Sequence, residues 1–179
     1  MKRICLYGAS SATLAESYYA AAHTIGEGLA TCGIGLVFGG GATGLMGAAA
    51  RGADSKGGEI IGVAPKFFDE EGVLYQNCTE FIFTDTMRER KQIMEDLADG
   101  FLVTPGGIGT LEEFFEIFTL RQLDRHQKPI YILNVCGYFD QLLAFLEHMV
   151  TEKFMSQHCL NMIHVYEDPA ALIDALKEV

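Results

Sequence analysis

The stretch Pro105-Gly106-Gly107-Ile108-Gly109-Thr110-Leu111-Glu112-Glu113 follows a short apolar run, Phe101-Leu102-Val103, and opens a long apolar-rich segment. A strand that runs into glycines and then into a helix makes an anion site. The glycines admit a phosphate to the backbone, and the free N–H groups of the first helical turn point at it. Glu113 is the unusual member. A carboxylate repels phosphate, so a glutamate three residues after Thr110 suggests chemistry beside the phosphate. A duller reading is local: Thr110-x-x-Glu113 has the form of a capping box, whose glutamate only bonds backbone N–H groups. Arg90 and Lys91, early in the preceding predicted helix, tilt the balance. If the strands at 80–84 and 100–104 neighbour each other, both helix starts lie at one edge of the sheet. A guanidinium, an ammonium, a carboxylate and two glycine turns then converge. The alternative for Arg90 and Lys91 is a solvated helix face.

The other glycine turn is Gly39-Gly40-Gly41-Ala42-Thr43-Gly44. Gly39, Gly41 and Gly44 match G-x-G-x-x-G between a strand and a helix, which alone is a weak signal. A dinucleotide fold carries that motif after its first strand and an acid at the end of the next. Here the motif follows the second strand, and Glu59 precedes the third. A tight strand–helix turn is the bland alternative. No G-x-x-x-x-G-K-[ST] segment is present, which argues against ATP or GTP hydrolysis.

These turns need elements to hold them, and the chain alternates strand and helix. Strands are predicted at 4–8, 36–38, 60–63, 80–84, 100–104, 129–133 and 163–166. Helices are predicted at about 14–30, 45–55, 86–98, 108–123 and 139–153, with a last one opening at Asp168-Pro169, an N-cap followed by proline at the first helical position. Thr86-x-x-Glu89 reads as a capping box for the helix that carries Arg90. Residues 66–77 form a looser segment. Short strands without a polar face imply a sheet covered on both sides. Alternation with helices then gives a doubly wound, mostly parallel, Rossmann-like α/β fold with its site at the strand C-termini.

At 179 residues the chain is expected to be one domain over residues 1–179. Its 24 acids against 13 bases give a net charge of −11, which excludes a domain-wide basic footprint for nucleic acid. An anionic ligand must therefore rely on the local cluster Arg88, Arg90 and Lys91. The start of the chain has no signal-peptide pattern, and no apolar run approaches the roughly 18 residues that span a bilayer. Cysteines 5, 32, 78, 136 and 159 form no C-x-x-C and read as buried free thiols of a cytoplasmic protein, Cys5 and Cys136 lying in apolar, strand-like contexts. The histidines and cysteines show no metal-ligand spacing, so neither a metal nor another cofactor is expected.

The motifs G-G-G-x-x-G-L-M-G and P-G-G-x-G-T-x-x-E, with M-x-x-R-K between them, resemble the LONELY GUY family of cytokinin riboside 5′-monophosphate phosphoribohydrolases, long mislabelled as lysine decarboxylases. The resemblance runs from the Gly8-Ala9-Ser10 turn to the C-terminal helix. It implies a compact α/β fold and a dimer, with Arg90 and Glu113 as catalytic pair. It also implies that Lys91, Gly107, Gly109 and Thr110 line the nucleotide monophosphate and that Thr119 contacts substrate. Gly106, Gly40, Gly41, Gly44 and Ser10 complete the expected phosphate- and substrate-binding set, and Glu71 is the match for an acidic substrate contact. Two departures bear on base selectivity: Arg88 stands where members usually have histidine, and Tyr7-Gly8-Ala9-Ser10 replaces C-G-S-S.

The resulting expectation is hydrolysis of N6-modified AMP, plain AMP or both to free base and ribose 5-phosphate. A competing reading is a non-catalytic nucleotide carrier, of the kind that binds molybdenum cofactor on a similar sheet. It would not need the Arg90/Glu113 pair. A pyridoxal-phosphate decarboxylase would need a Schiff-base lysine, and only Lys91 is near. Leu111, Phe114, Phe115, Ile117, Phe118, Leu120 and Leu123 cover more than one face of the helix after Gly109, which suggests a homodimer through that helix with the active site close to the interface; the alternative is simple burial within the chain.

Overall fold

The computed structural model describes residues 2–177. Its centre is a seven-stranded, all-parallel sheet in the order β4-β3-β2-β1-β5-β6-β7. The strands are β1 (Arg3–Tyr7), β2 (Gly35–Phe38), β3 (Ile60–Pro65), β4 (Glu80–Thr84), β5 (Gly100–Val103), β6 (Ile130–Leu133) and β7 (Ile163–Tyr166). The helices are α1 (Glu16–Thr31), α2 (Gly44–Ser55), α3 (Met87–Leu97), α4 (Ile108–Gln122), α5 (Asp140–Thr151), α6 (Gln157–Leu160) and α7 (Pro169–Lys177). Only α6, a single turn, has no counterpart among the predicted elements.

Apart from Arg3 at the start of β1, the five inner strands are buried throughout, as their apolar runs require. The edge strands β4 and β7 expose part of their length, so the absence of a polar face does not extend to the rims. Alternation splits the core. Cys5, Tyr7, Val37, Val63, Phe101 and Val103 face Met94 of α3 and Phe114, Ile117 and Phe118 of α4. Ile4, Leu6, Leu36, Phe38 and Leu102 face Ile25 and Leu29 of α1, Ala49, Ala50 and Ala53 of α2, and Leu172 and Ile173 of α7.

The strand order corrects one premise. β4 lies at the outer edge and β5 beside β1, so three strands separate them. The two helix starts come together because the chain must cross from the edge back to the centre. α3 makes that crossing over β3, β2 and β1, and so carries Arg90 inward. Its start is capped as predicted: the Thr86 hydroxyl accepts the Glu89 N–H at 3.1 Å, and the Glu89 carboxylate accepts the Asp85 N–H at 2.8 Å. β1 pairs with β2 on one side and β5 on the other, and the chain runs in opposite directions along the sheet from there. Doubly wound sheets place ligands at the carboxyl ends of strands at such a switch point.

Candidate functional site

Three loops meet at that point. The Ala9 N–H after β1 donates to the Pro105 carbonyl at 3.0 Å, which ties the first loop to the turn after β5. The Ala9 carbonyl accepts the Leu45 N–H at 2.8 Å, and the Ser10 carbonyl accepts the Thr43 hydroxyl at 2.8 Å, which ties it to the turn after β2. Between them opens a cleft of about 530 Å³. Ser10, Gly39, Gly41, Arg90, Gly107, Gly109, Thr110 and Glu113 all line it.

The centre of the cleft wall is an ion pair. Arg90 Nη1 donates to Glu113 Oε1 at 2.8 Å, and Arg90 Nε donates to the Val63 carbonyl of β3 at 3.1 Å. Both side chains are about nine-tenths withdrawn from solvent, at 8% and 11% exposure. Burial pushes the Glu113 carboxyl above the ordinary glutamate range, and the adjacent Arg90 guanidinium offsets only part of that rise. Tyr7, at the end of β1, is close enough to feel the charge of Glu113. Burial foremost, and nearby negative charge, hold its phenol protonated well above the usual range. Thr110 is the third residue of α4 rather than its cap, and Gly107 holds the cap position without a side-chain bond. The capping reading of Glu113 is thereby set aside, since its carboxylate is given to Arg90.

Gly107 and Gly109 have nothing within 4 Å of where a Cβ would stand. Together with Ile108, they present the backbone of the first turn of α4 to the open cleft, as an anion site requires.

Several expected residues stand elsewhere. Lys91 is not on the cleft wall. Its ammonium is held by Glu112 at 2.5 Å and Glu116 at 2.7 Å, because both carboxylates rise from the neighbouring helix α4 at one-turn spacing. Thr119 is exposed on α4, past the end of the cleft, because six residues of helix carry it away from Glu113. Glu71 is exposed on the loop beyond the mouth. Gly40 and Gly44 are buried with positive φ (+78° and +65°), and Gly106 is closed over by Thr110, so all three shape the turns without lining the wall. Arg88 is exposed and also off the wall.

Sequence reading missed the apolar part of the cleft: Met46, Phe68, Val73, Leu74 and Met87, with Ile108 at the rim. Phe68, Val73 and Leu74 belong to the irregular stretch before β4. That stretch is strapped over the turn after β2 by a Gly41–Leu74 bridge and a bond from the Tyr75 N–H to the Gly40 carbonyl at 2.8 Å. No periodicity announces such a strap. Among the described residues, no group of three or more His, Cys, Asp or Glu could hold a metal ion.

The family model described as "Possible lysine decarboxylase" matches residues 46–176. The probable cytokinin riboside 5′-monophosphate phosphoribohydrolase LOGL5 of Oryza sativa subsp. japonica is 38% identical over 99% of this chain and 72% of its own. The chain belongs to the cytokinin riboside 5′-monophosphate phosphoribohydrolase family. A member from Mycobacterium tuberculosis is 40% identical over 92% of this chain and 88% of its own. Among solved structures, the molybdenum cofactor binding protein of Rippkaea orientalis superposes with a TM-score of 0.75. It covers 99% of this chain and 96% of its own at 22% identity, a likeness of fold alone. The family's older label sits poorly with the site, because the one lysine near it is turned away and doubly paired.

Proposed function

We propose that the protein is a nucleoside 5′-monophosphate phosphoribohydrolase built as a single domain. It cleaves the N-glycosidic bond of N6-modified AMP, of AMP, or of both, to release free base and ribose 5-phosphate. The observation that carries this is the buried Arg90–Glu113 pair facing an open anion turn across one cleft. Departure of the base leaves an oxocarbenium-like ribosyl cation, and a fixed carboxylate beside C1′ stabilises it or orients the attacking water. Glu113 has that role. A carboxylate raised by burial is a stronger base than one in water, and Arg90 keeps it ionised and aimed. Arg90 itself stays protonated and serves as a fork, not as an acid. The α4 N-terminus, with Gly107, Gly109 and Thr110, takes the 5′-phosphate, a remote handle whose binding energy positions the sugar. The apolar wall of Met46, Phe68, Val73 and Met87 then faces the base.

The proposal extends to a cytoplasmic homodimer. Ile108 and Phe115 of α4 and Leu123 at its C-cap are 85%, 39% and 60% exposed, more apolar surface than one helix usually leaves to water. Thr119 lies one turn beyond Phe115, so a second copy is the arrangement that brings it to a substrate. The five cysteines are free thiols, the state that a reducing compartment maintains, but only Cys5 and Cys159 are buried as expected: Cys32 and Cys78 are half-buried, and Cys136 is exposed because it lies in the loop after β6 rather than in a strand.

Incubation with AMP and with isopentenyl-AMP, assayed for free base and ribose 5-phosphate, tests the reaction. Release from either supports it, and no release from both removes it in favour of a carrier. The carrier reading draws on the fold likeness to a molybdenum cofactor binding protein, but it gives the buried carboxylate no task.

A further inference from the structure

We propose that Gly39 is a positioning residue. It is the seat on which the Arg90 guanidinium rests, and the turn after β2 acts in the reaction through that seat. The inference rests on the catalytic reading of the Arg90–Glu113 pair.

A guanidinium is a flat fork, and three things must be fixed to aim it. Val63 O fixes the Nε edge and Glu113 Oε1 fixes Nη1. The third constraint is the surface beneath Nη2, and that surface is Gly39. A Cβ added there would overlap Arg90 Nη2 and stand 3.2 Å from Cζ, with Met46 Sδ at 3.4 Å. The backbone of Gly39 does not lie in the left-handed region, whereas that of Gly40 next to it does. Space for the arginine, rather than backbone freedom, is therefore what this position demands. Arg90 has little room to yield, because its side chain is buried and carries two hydrogen bonds at fixed angles. A methyl group at 39 displaces the fork from Glu113 or from Val63, and in either case the carboxylate loses its aligned partner.

The charge environment of Glu113 reports on this directly. Arg90 and Lys91 of α3 lower its carboxyl, Glu112 of its own helix raises it, and the buried Cys5 and Tyr7 of β1 are neutral neighbours. Arg90 is the largest of the charged influences.

The test is a double-mutant cycle of Gly39→Ala and Arg90→Ala with two readouts. One is kcat/KM for isopentenyl-AMP. The other is the titration of the Glu113 carboxyl carbon by NMR, which needs no turnover. For Gly39→Ala alone we expect kcat/KM to fall on the order of 10²-fold, chiefly in kcat, as for an ångström-scale misplacement of a positioned group. The Glu113 midpoint should move upward. In the Arg90→Ala background the second substitution should change neither readout, because nothing remains to clash with. Equal effects of Gly39→Ala in both backgrounds, or an unchanged titration, overturn the proposal. If the wild-type protein turns over no nucleotide, the reaction reading fails while the titration still decides the seat. If Gly39→Ala does not fold, recovery of folding in the double variant supports the seat and no recovery overturns it.

Discussion

The turn after β2 and the turn after β5 both link a buried strand to a helix at the sheet's switch point, and both are written largely in glycine. Their surroundings differ. In the first, Gly39 has Arg90 on it, Gly40 has the Phe81 ring 2.6 Å from where a Cβ would be, and Gly44 is pressed against the Ala9-Ser10 backbone. These glycines exist so that other groups can approach. In the second, Gly107 and Gly109 meet nothing, and the empty side faces the cleft. These glycines leave the backbone open to whatever enters the cleft. A glycine motif therefore states only that something comes close to the backbone, and the packing around it decides whether that something is protein or substrate.

Substitutions can break this contrast, beginning with the acid that the second turn leads to. Glu113→Gln should lower kcat/KM by about 10³-fold with KM little changed, within the range for a positioned carboxylate. Steady-state kinetics showing wild-type rates would remove Glu113 from the chemistry. Next in size is Gly44→Ala. It forces a Cβ into a residue at φ +65° and against Ala9 and Ser10, and should cost about 3 kcal/mol in denaturant unfolding. Gly107→Ala should behave in the opposite way. Its stability should change by less than about 0.5 kcal/mol, while KM rises about tenfold because the methyl group occupies the anion's place. Equal stability losses in the two glycine variants would erase the distinction. The smallest expected effect is in the pH profile. In the proposed role Glu113 must be ionised to act, and its carboxyl is raised by burial, so kcat/KM should fall on acidification with a midpoint above the ordinary glutamate value. A midpoint at or below that value would mean that Arg90 outweighs burial.

Much of this was legible in the residues. Runs such as Phe101-Leu102-Val103 can only be inner strands, and Thr86-x-x-Glu89 marks a helix start because its hydrogen bonds are local. The second glycine turn and its neighbouring acid were legible for the same reason, since strand, glycines and helix start are contiguous. What spacing along the chain does not encode is which strands become neighbours. The meeting of Arg90 with Glu113 was expected from adjacent strands, but it comes from a helix that crosses most of the sheet. The apolar wall was illegible for a related cause. Val73 and Leu74 are held by backbone bonds to Gly40–Ala42, with Phe68 upstream on the same stretch, and such bonds carry no side-chain signature. The burial of Gly39 under an arginine is likewise a long-range fact.

The strap before β4 is pinned at its far end, where Asp54 of α2 accepts the Tyr75 hydroxyl at 2.8 Å and the Asn77 amide at 2.9 Å. Its near end, from Phe67 to Val73, stands in solvent apart from the faces of Phe68 and Val73 turned to the cleft. Neither end shares a hydrogen bond with Arg90 or Glu113. Inheritance can therefore work on the two halves of the site separately. On the proposed reading, changes at 67–73 would redraw which bases are admitted while leaving the Arg90–Glu113 pair untouched.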